Sequence, residues 1–153
     1  MIVWRITRAG KKTLSGEGAR LYGGRWNSEG RAAIYSSATL SLAVLEYLVH
    51  LEPSEIPSDL VTLKIEIPDE PGVGAVADPA RFDDRDWRMT PAPPWQAELG
   101  DAWLEDGTFL WLAVPSAVVP EERNILVNPA HRKFGKVRVR SERPFPFDLR
   151  LLK

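Results

Sequence analysis

The sequence predicts an α+β fold, a single mixed domain over residues 1–153. Three observations point there. Strand-like runs lie at both ends of the chain with two helix-like runs between them, and they lack the regular alternation of a doubly wound sheet. A chain of 153 residues is the size of one domain and can bury roughly 70% of its unfolded surface. Its residues are 44% hydrophobic and 27% charged, with no repeat or low-complexity tract, as in a globular protein that needs no staple.

The elements follow in chain order. Ile2 to Ile6 reads as a first strand containing Trp4 and Arg5. Gly10 to Gly18 is a polar, glycine-rich connection, and Gly23-Gly24 lets the backbone turn tightly or approach another group. Asn27-Ser28-Glu29-Gly30 is a turn signal, and Ala32 to Tyr35 a short apolar strand. Thr39 suits an N-cap, which predicts a helix over Leu40 to Leu51 ended by Pro53 and Pro57. Leu60 to Ile67 alternates as a strand. Pro68 to Pro94 is rich in Pro, Asp, Gly and Arg and reads as a long loop, with a short strand at Val73 to Val76. Trp95 to Leu104 has Trp95, Leu99, Ala102 and Trp103 on one helical side. Phe109 to Val114 and Asn124 to Val127 read as strands, and Ala130 to Phe134 as a helical turn. Val137 to Val139 and Phe147 to Leu152 are read as the closing strands.

Composition excludes several chemistries. With no cysteine there are no disulfides, no thiolate nucleophile and no cysteine-bound metal. The net charge of -1 argues against a polyanion binder, the basic run His131 to Arg143 reading equally as a solvated face. His50 and His131 lack metal-ligand spacing. Neither a P-loop nor a dinucleotide glycine motif is present. The N-terminus shows no signal-peptide pattern and no apolar run approaches a membrane span, so a cytoplasmic protein is expected.

The densest chemistry lies between Arg20 and His50. Arg25 follows two glycines, where a planar guanidinium can grip phosphate or carboxylate, or simply pair beside a turn. Glu46 and His50 sit one turn apart on a helix otherwise apolar nearly all round, which predicts a buried helix. A buried carboxylate must be paired or neutral, so Glu46 marks a structural contact or a site. Tyr35 ends a strand and offers a flat ring with a hydroxyl, for ligand stacking or for packing. Ser116 follows Pro115 without a nucleophile elbow, which argues against a hydrolase-type serine.

Together these residues resemble a known family. Gly23-Gly24-Arg25-Trp26-Asn27, Gly30, Tyr35-Ser36 and Leu42-Ala43-x-x-Glu46 match the RES domain, named for an arginine, a glutamate and a serine. These fall on Arg25, Glu46 and Ser116. Trp4-Arg5-Ile6 and Ile125-Leu126-Val127-Asn128-Pro129 look like the family's ends, so the resemblance covers almost the whole chain.

The resemblance implies a fold similar to ADP-ribosyltransferases and diphtheria-type toxins. It implies the toxin of a bacterial toxin–antitoxin pair, held in a hetero-oligomer by an Xre-type helix-turn-helix antitoxin that alone would touch DNA. NAD is then a substrate and not a cofactor, cleaved at its nicotinamide–ribose bond by water or phosphate, or used to ADP-ribosylate a protein. That bond breaks through an oxocarbenium-like state whose leaving group is already cationic. Arg25 and Arg5 suit the pyrophosphate, Tyr35 the ring, Glu46 the ribosyl cation, and Ser116 the nicotinamide or ribose side. An RNA-directed toxin and a non-enzymatic interaction module are the competing classes.

Overall fold

A computed structural model describes residues 1–52, 56–82 and 86–152. Seven strands form one sheet: β1 (Ile2–Arg8), β2 (Ile34–Ser37), β3 (Leu60–Glu66), β4 (Gly74–Val76), β5 (Trp111–Pro115), β6 (Arg123–Val127) and β7 (Arg138–Pro144). Their spatial order is β4-β5-β6-β2-β1-β3-β7, parallel at β4–β5 and antiparallel elsewhere. Among the described residues three α-helices accompany the sheet: α1 (Glu17–Tyr22), α2 (Leu40–Leu48) and α3 (Pro94–Asp106). The α+β expectation holds.

Three apolar clusters hold the sheet. Val3, Ile34, Leu63, Ile65, Ile125 and Val127 share one cluster, as alternation along the strands requires. The intervening Leu112, Val114 and Leu126 pack with Trp26, Phe82 and Trp103, joined by Trp95 and Leu99 of α3. Ile6, Leu60 and Phe147 pack with Ala43 of α2.

β1 and β3 are paired over all seven residues of β1, yet β1 meets β2 only at Trp4↔Ser37. The sheet therefore divides along a seam in its middle. Residues from both lips, Arg5 and Ile6 on β1 and Tyr35 and Ser36 on β2, line a cleft there.

Several boundaries differ from those read in the sequence. α1 is not legible in the sequence, because Gly18 within its six residues and Gly16, Gly23 and Gly24 around them read as loop. It ends on Gly23, whose φ of 66° with ψ of -173° is a backbone conformation that favours glycine. Thr39 caps α2 as predicted, its hydroxyl accepting from Leu42 N at 3.1 Å. α2 stops at Leu48, before Pro53, which lies outside the described residues. The helix is also not buried all round: Leu42 and Ala43 are buried, Val44 to Leu48 half-buried, and Val49 and His50 exposed. Its surplus apolar residues, Tyr47 and Val49, line the cleft instead of the core. The Pro68 to Pro94 loop contains β4 and a 3-10 turn at Pro79–Arg81. The turn expected at Ala130 to Phe134 forms later, as a 3-10 turn at Phe134–Lys136. The last strand runs from Arg138 to Pro144, and Leu149–Leu152 is a 3-10 turn, not a strand. Prolines at 144 and 146 account for that, since each removes a ladder donor.

Candidate active site

The Gly-Gly-Arg-Trp-Asn segment is a loop built around one buried amide. Asn27 donates from Nδ2 to the carbonyls of Ala19 and Arg31, each at 2.9 Å, and of Ser28 at 3.1 Å. Its Oδ1 accepts from the Tyr35 hydroxyl at 2.7 Å, and that hydroxyl accepts from Trp26 N at 3.0 Å. A Cβ on Gly24 would lie 2.6 Å from the Tyr35 hydroxyl oxygen, so only glycine lets the loop close on the tyrosine. Burial pushes the Tyr35 phenol well above its ordinary value, and the Asn27 acceptor keeps its proton engaged. Tyr35 thus lines the cleft with its ring while its hydroxyl braces the loop.

That loop presents Arg25, half-buried, at the cleft wall. Its Nη1 donates to Trp87 O at 2.9 Å, to Met89 O at 3.1 Å and to Gln96 Oε1 at 3.1 Å. Desolvation lowers the Arg25 pKa, and the charge of Glu46 opposes that shift, so guanidinium and carboxylate share one field.

Glu46, on the cleft face of α2, is held by two donors on one oxygen. Ser116 Oγ donates to Glu46 Oε1 at 2.7 Å, and Asn124 Nδ2 to the same oxygen at 2.5 Å. Asn124 is oriented by Ser37, whose Oγ donates to Oδ1 at 2.7 Å. Ser116 is fully buried below the cleft and accepts from Val118 N and Val119 N at 3.1 and 2.9 Å. Among the described residues nothing bonds to Glu46 Oε2. Ser116 is thus a brace for the carboxylate and for its own turn, with no free lone pair aimed at a ligand.

Arg5 also lines the cleft; burial lowers its pKa, and its Nη1 is buried without a partner among the described residues. An unsatisfied buried guanidinium nitrogen is costly unless an anion completes it. Arg88 is a third cleft arginine, anchored by Nε to Ala117 O at 3.2 Å. The cleft measures about 1170 Å³. Three guanidiniums and one carboxylate on its wall suit a dinucleotide-sized anion with a cationic reacting centre.

The structure therefore gathers Arg5, Arg25, Tyr35, Glu46 and Ser116 at one cleft, Ser116 beneath it. Asn124, Gln96 and Arg88 escaped the sequence reading. His131 lies elsewhere, its Nδ1 accepting from Lys133 N at 3.0 Å. No cluster of metal-binding side chains occurs among the described residues.

A family model described as the RES domain matches residues 2–148. The protein is 41% identical over 155 residues to a "Toxin Res" of Yersinia enterocolitica, which covers 99% of both chains. It is 36% identical over 155 residues to a "Prs ADP-ribosylating toxin" of a Sphingobium species, covering 98% of this chain and 96% of the other. Among solved structures, the M. tuberculosis MbcT–MbcA toxin–antitoxin complex superposes with a TM-score of 0.73 at 20% identity, covering 94% of this chain and 83% of that one. A match over nearly the whole chain, with full-length relatives above 30% identity, shows that the chain belongs to the RES domain family of toxins.

Proposed function

We propose that this toxin consumes NAD by breaking the bond between nicotinamide and ribose. The observation that carries the reading is Glu46. A carboxylate pinned through one oxygen by Ser116 and Asn124, its other oxygen unbonded among the described residues, lines a cleft walled by arginines. Arg25, Arg5 and Arg88 supply charge for the pyrophosphate, and the Tyr35 ring a flat wall for a heteroaromatic group.

In the reaction the C1′–nitrogen bond breaks and its electron pair leaves with neutral nicotinamide. A new C1′–oxygen bond forms to water or phosphate. The fixed charge of Glu46 stabilises the ribosyl cation without reorganising. When water attacks, its proton passes to Glu46 or to solvent.

A second acceptor is supported by the name of the Sphingobium relative, an ADP-ribosylating toxin. Tyr22 and Val49, both lining the cleft, are exposed, which gives a protein acceptor apolar surface to meet.

The partner belongs to the same proposal. An enzyme of this kind needs a neutraliser in its host, and a solved structure of similar fold is that of a toxin–antitoxin complex. The reading assigns an Xre-type antitoxin, cytoplasmic action, and contact with DNA only through the antitoxin. No described helix is long and apolar enough to cross a membrane.

The experiment is incubation of purified protein with NAD, with and without phosphate and with cell lysate, followed by product identification. Free ADP-ribose indicates hydrolysis, a 1-phosphate phosphorolysis, and labelled protein transfer. Intact NAD in all three would refute the reading.

A further inference from the structure

Gln96 is fully buried, although an amide side chain in the first turn of a helix ordinarily faces water. Its Oε1 accepts from Arg25 Nη1, and its Nε2 has no partner among the described residues. Burying an amide with an unused donor opposes folding. The alternative amide orientation would set Nε2 against the arginine, donor against donor, so Arg25 fixes the orientation that leaves Nε2 unpaired.

Three acceptors converge on one nitrogen of Arg25, from Trp87, Met89 and Gln96. Nη1 carries two hydrogens, so that end of the guanidinium is saturated. Among the described residues the Nε and Nη2 donors take no partner, which leaves a side-on pair matched to two oxygens of a phosphate. The two carbonyls belong to the non-helical 86–93 stretch, while Gln96 is set on the backbone of α3. Gln96 is thus the rigid member of the three.

We infer that Gln96 is a positioning residue that locks Arg25 in this side-on presentation. The inference rests on the proposed NAD reading for the ligand, though not for the geometry. Gln96 contributes by acting through Arg25 and touches no substrate.

The test compares wild type with Gln96→Met, which keeps length and removes both polar atoms. Melting temperature should hold or rise, because the unpaired Nε2 is gone. ADP-ribose binding by calorimetry should weaken about tenfold, as for one lost hydrogen bond to a charged group. In an Arg25→Ala background the same change should cost no further affinity. Nitrogen-15 NMR of the Arg25 guanidinium gives a ligand-free readout: resolved Nη signals in wild type, exchange-averaged signals in Gln96→Met. Unchanged Nη signals in the variant overturn the inference. So does equal ADP-ribose affinity, or a lowered melting temperature with equal affinity. Should wild type itself bind no ADP-ribose, the NAD reading fails while the NMR comparison still decides the role of Gln96.

Discussion

Glu46 Oε1 receives two hydrogen bonds, and that asymmetry decides what a substitution does. A glutamine can offer its amide oxygen to Ser116 and Asn124 and put its nitrogen where the unbonded oxygen was. Glu46→Gln should therefore keep its melting temperature within a few degrees. Losing the charge should cut NAD turnover by about 10²–10⁴. Early melting with normal turnover would show Glu46 to be only a packing residue. Tyr35 gives a prediction in pH. Its folded pKa lies above the unfolded value of about 10, so its contribution is intact below that pH and is lost as pH rises beyond it. Tyr35→Phe should flatten the alkaline limb of the stability profile measured by denaturant titration; an unchanged limb would place the sensitivity elsewhere. Arg25, Tyr35 and Glu46 stood out in the sequence through their spacing in one thirty-residue block, whereas Ser116 entered only through the family resemblance. Asn124 and Gln96 did neither. They lie 78 and 71 residues from the groups they hold, and amides carry no motif of their own.

At the scale of elements, α3 approaches the arginine loop so closely that side-chain size becomes decisive. A Cβ on Gly100 would stand 1.8 Å from the Trp26 carbonyl oxygen. Helix propensity favours alanine by about 1 kcal/mol, but a backbone clash costs roughly 1–3 kcal/mol or more. Gly100→Ala should therefore destabilise the protein in chemical denaturation, and a gain in stability would refute this packing. Arg25 also ties the 86–93 stretch through two carbonyls. Lysine keeps the charge but loses the fork. Arg25→Lys should lower NAD use by about tenfold or more, the loss of charge-assisted hydrogen bonds, and raise hydrogen exchange over residues 86–93. Wild-type kinetics with wild-type exchange would dismiss both roles. The sequence showed α2, α3 and most strands through period and caps. It concealed α1, which is only six residues long, and it overextended Phe147 to Leu152, whose apolar residues suit a strand only if prolines upstream are ignored.

For the whole molecule, the α+β class was legible from the order of elements. The strand order was not, because pairing across 72 (Glu66↔Arg138) to 93 residues (Ile34↔Val127) leaves no local mark. The partner prediction also belongs to this scale. If a segment of the antitoxin fills the cleft, a carboxylate on it can take the side-on face of Arg25. Titrating antitoxin into an NAD assay should then show competition, and Arg25→Ala should weaken its binding. Inhibition unchanged at saturating NAD would locate the contact away from the cleft.

The seam at Trp4↔Ser37 has a consequence for cooperativity. β1, β3 and β7 share long ladders, as do β5, β6 and β2, while one residue pair joins the two sets. The backbone ladder is thus weakest at this joint, which the shared Val3, Ile34, Leu63 and Ile125 cluster bridges by side-chain packing, and sub-global opening of the sheet should begin there. Arg5 stands on one side of the joint and the Tyr35–Arg25 loop on the other. Any ligand that touches both cross-links them, so occupancy of the cleft should raise the free energy of opening along the seam.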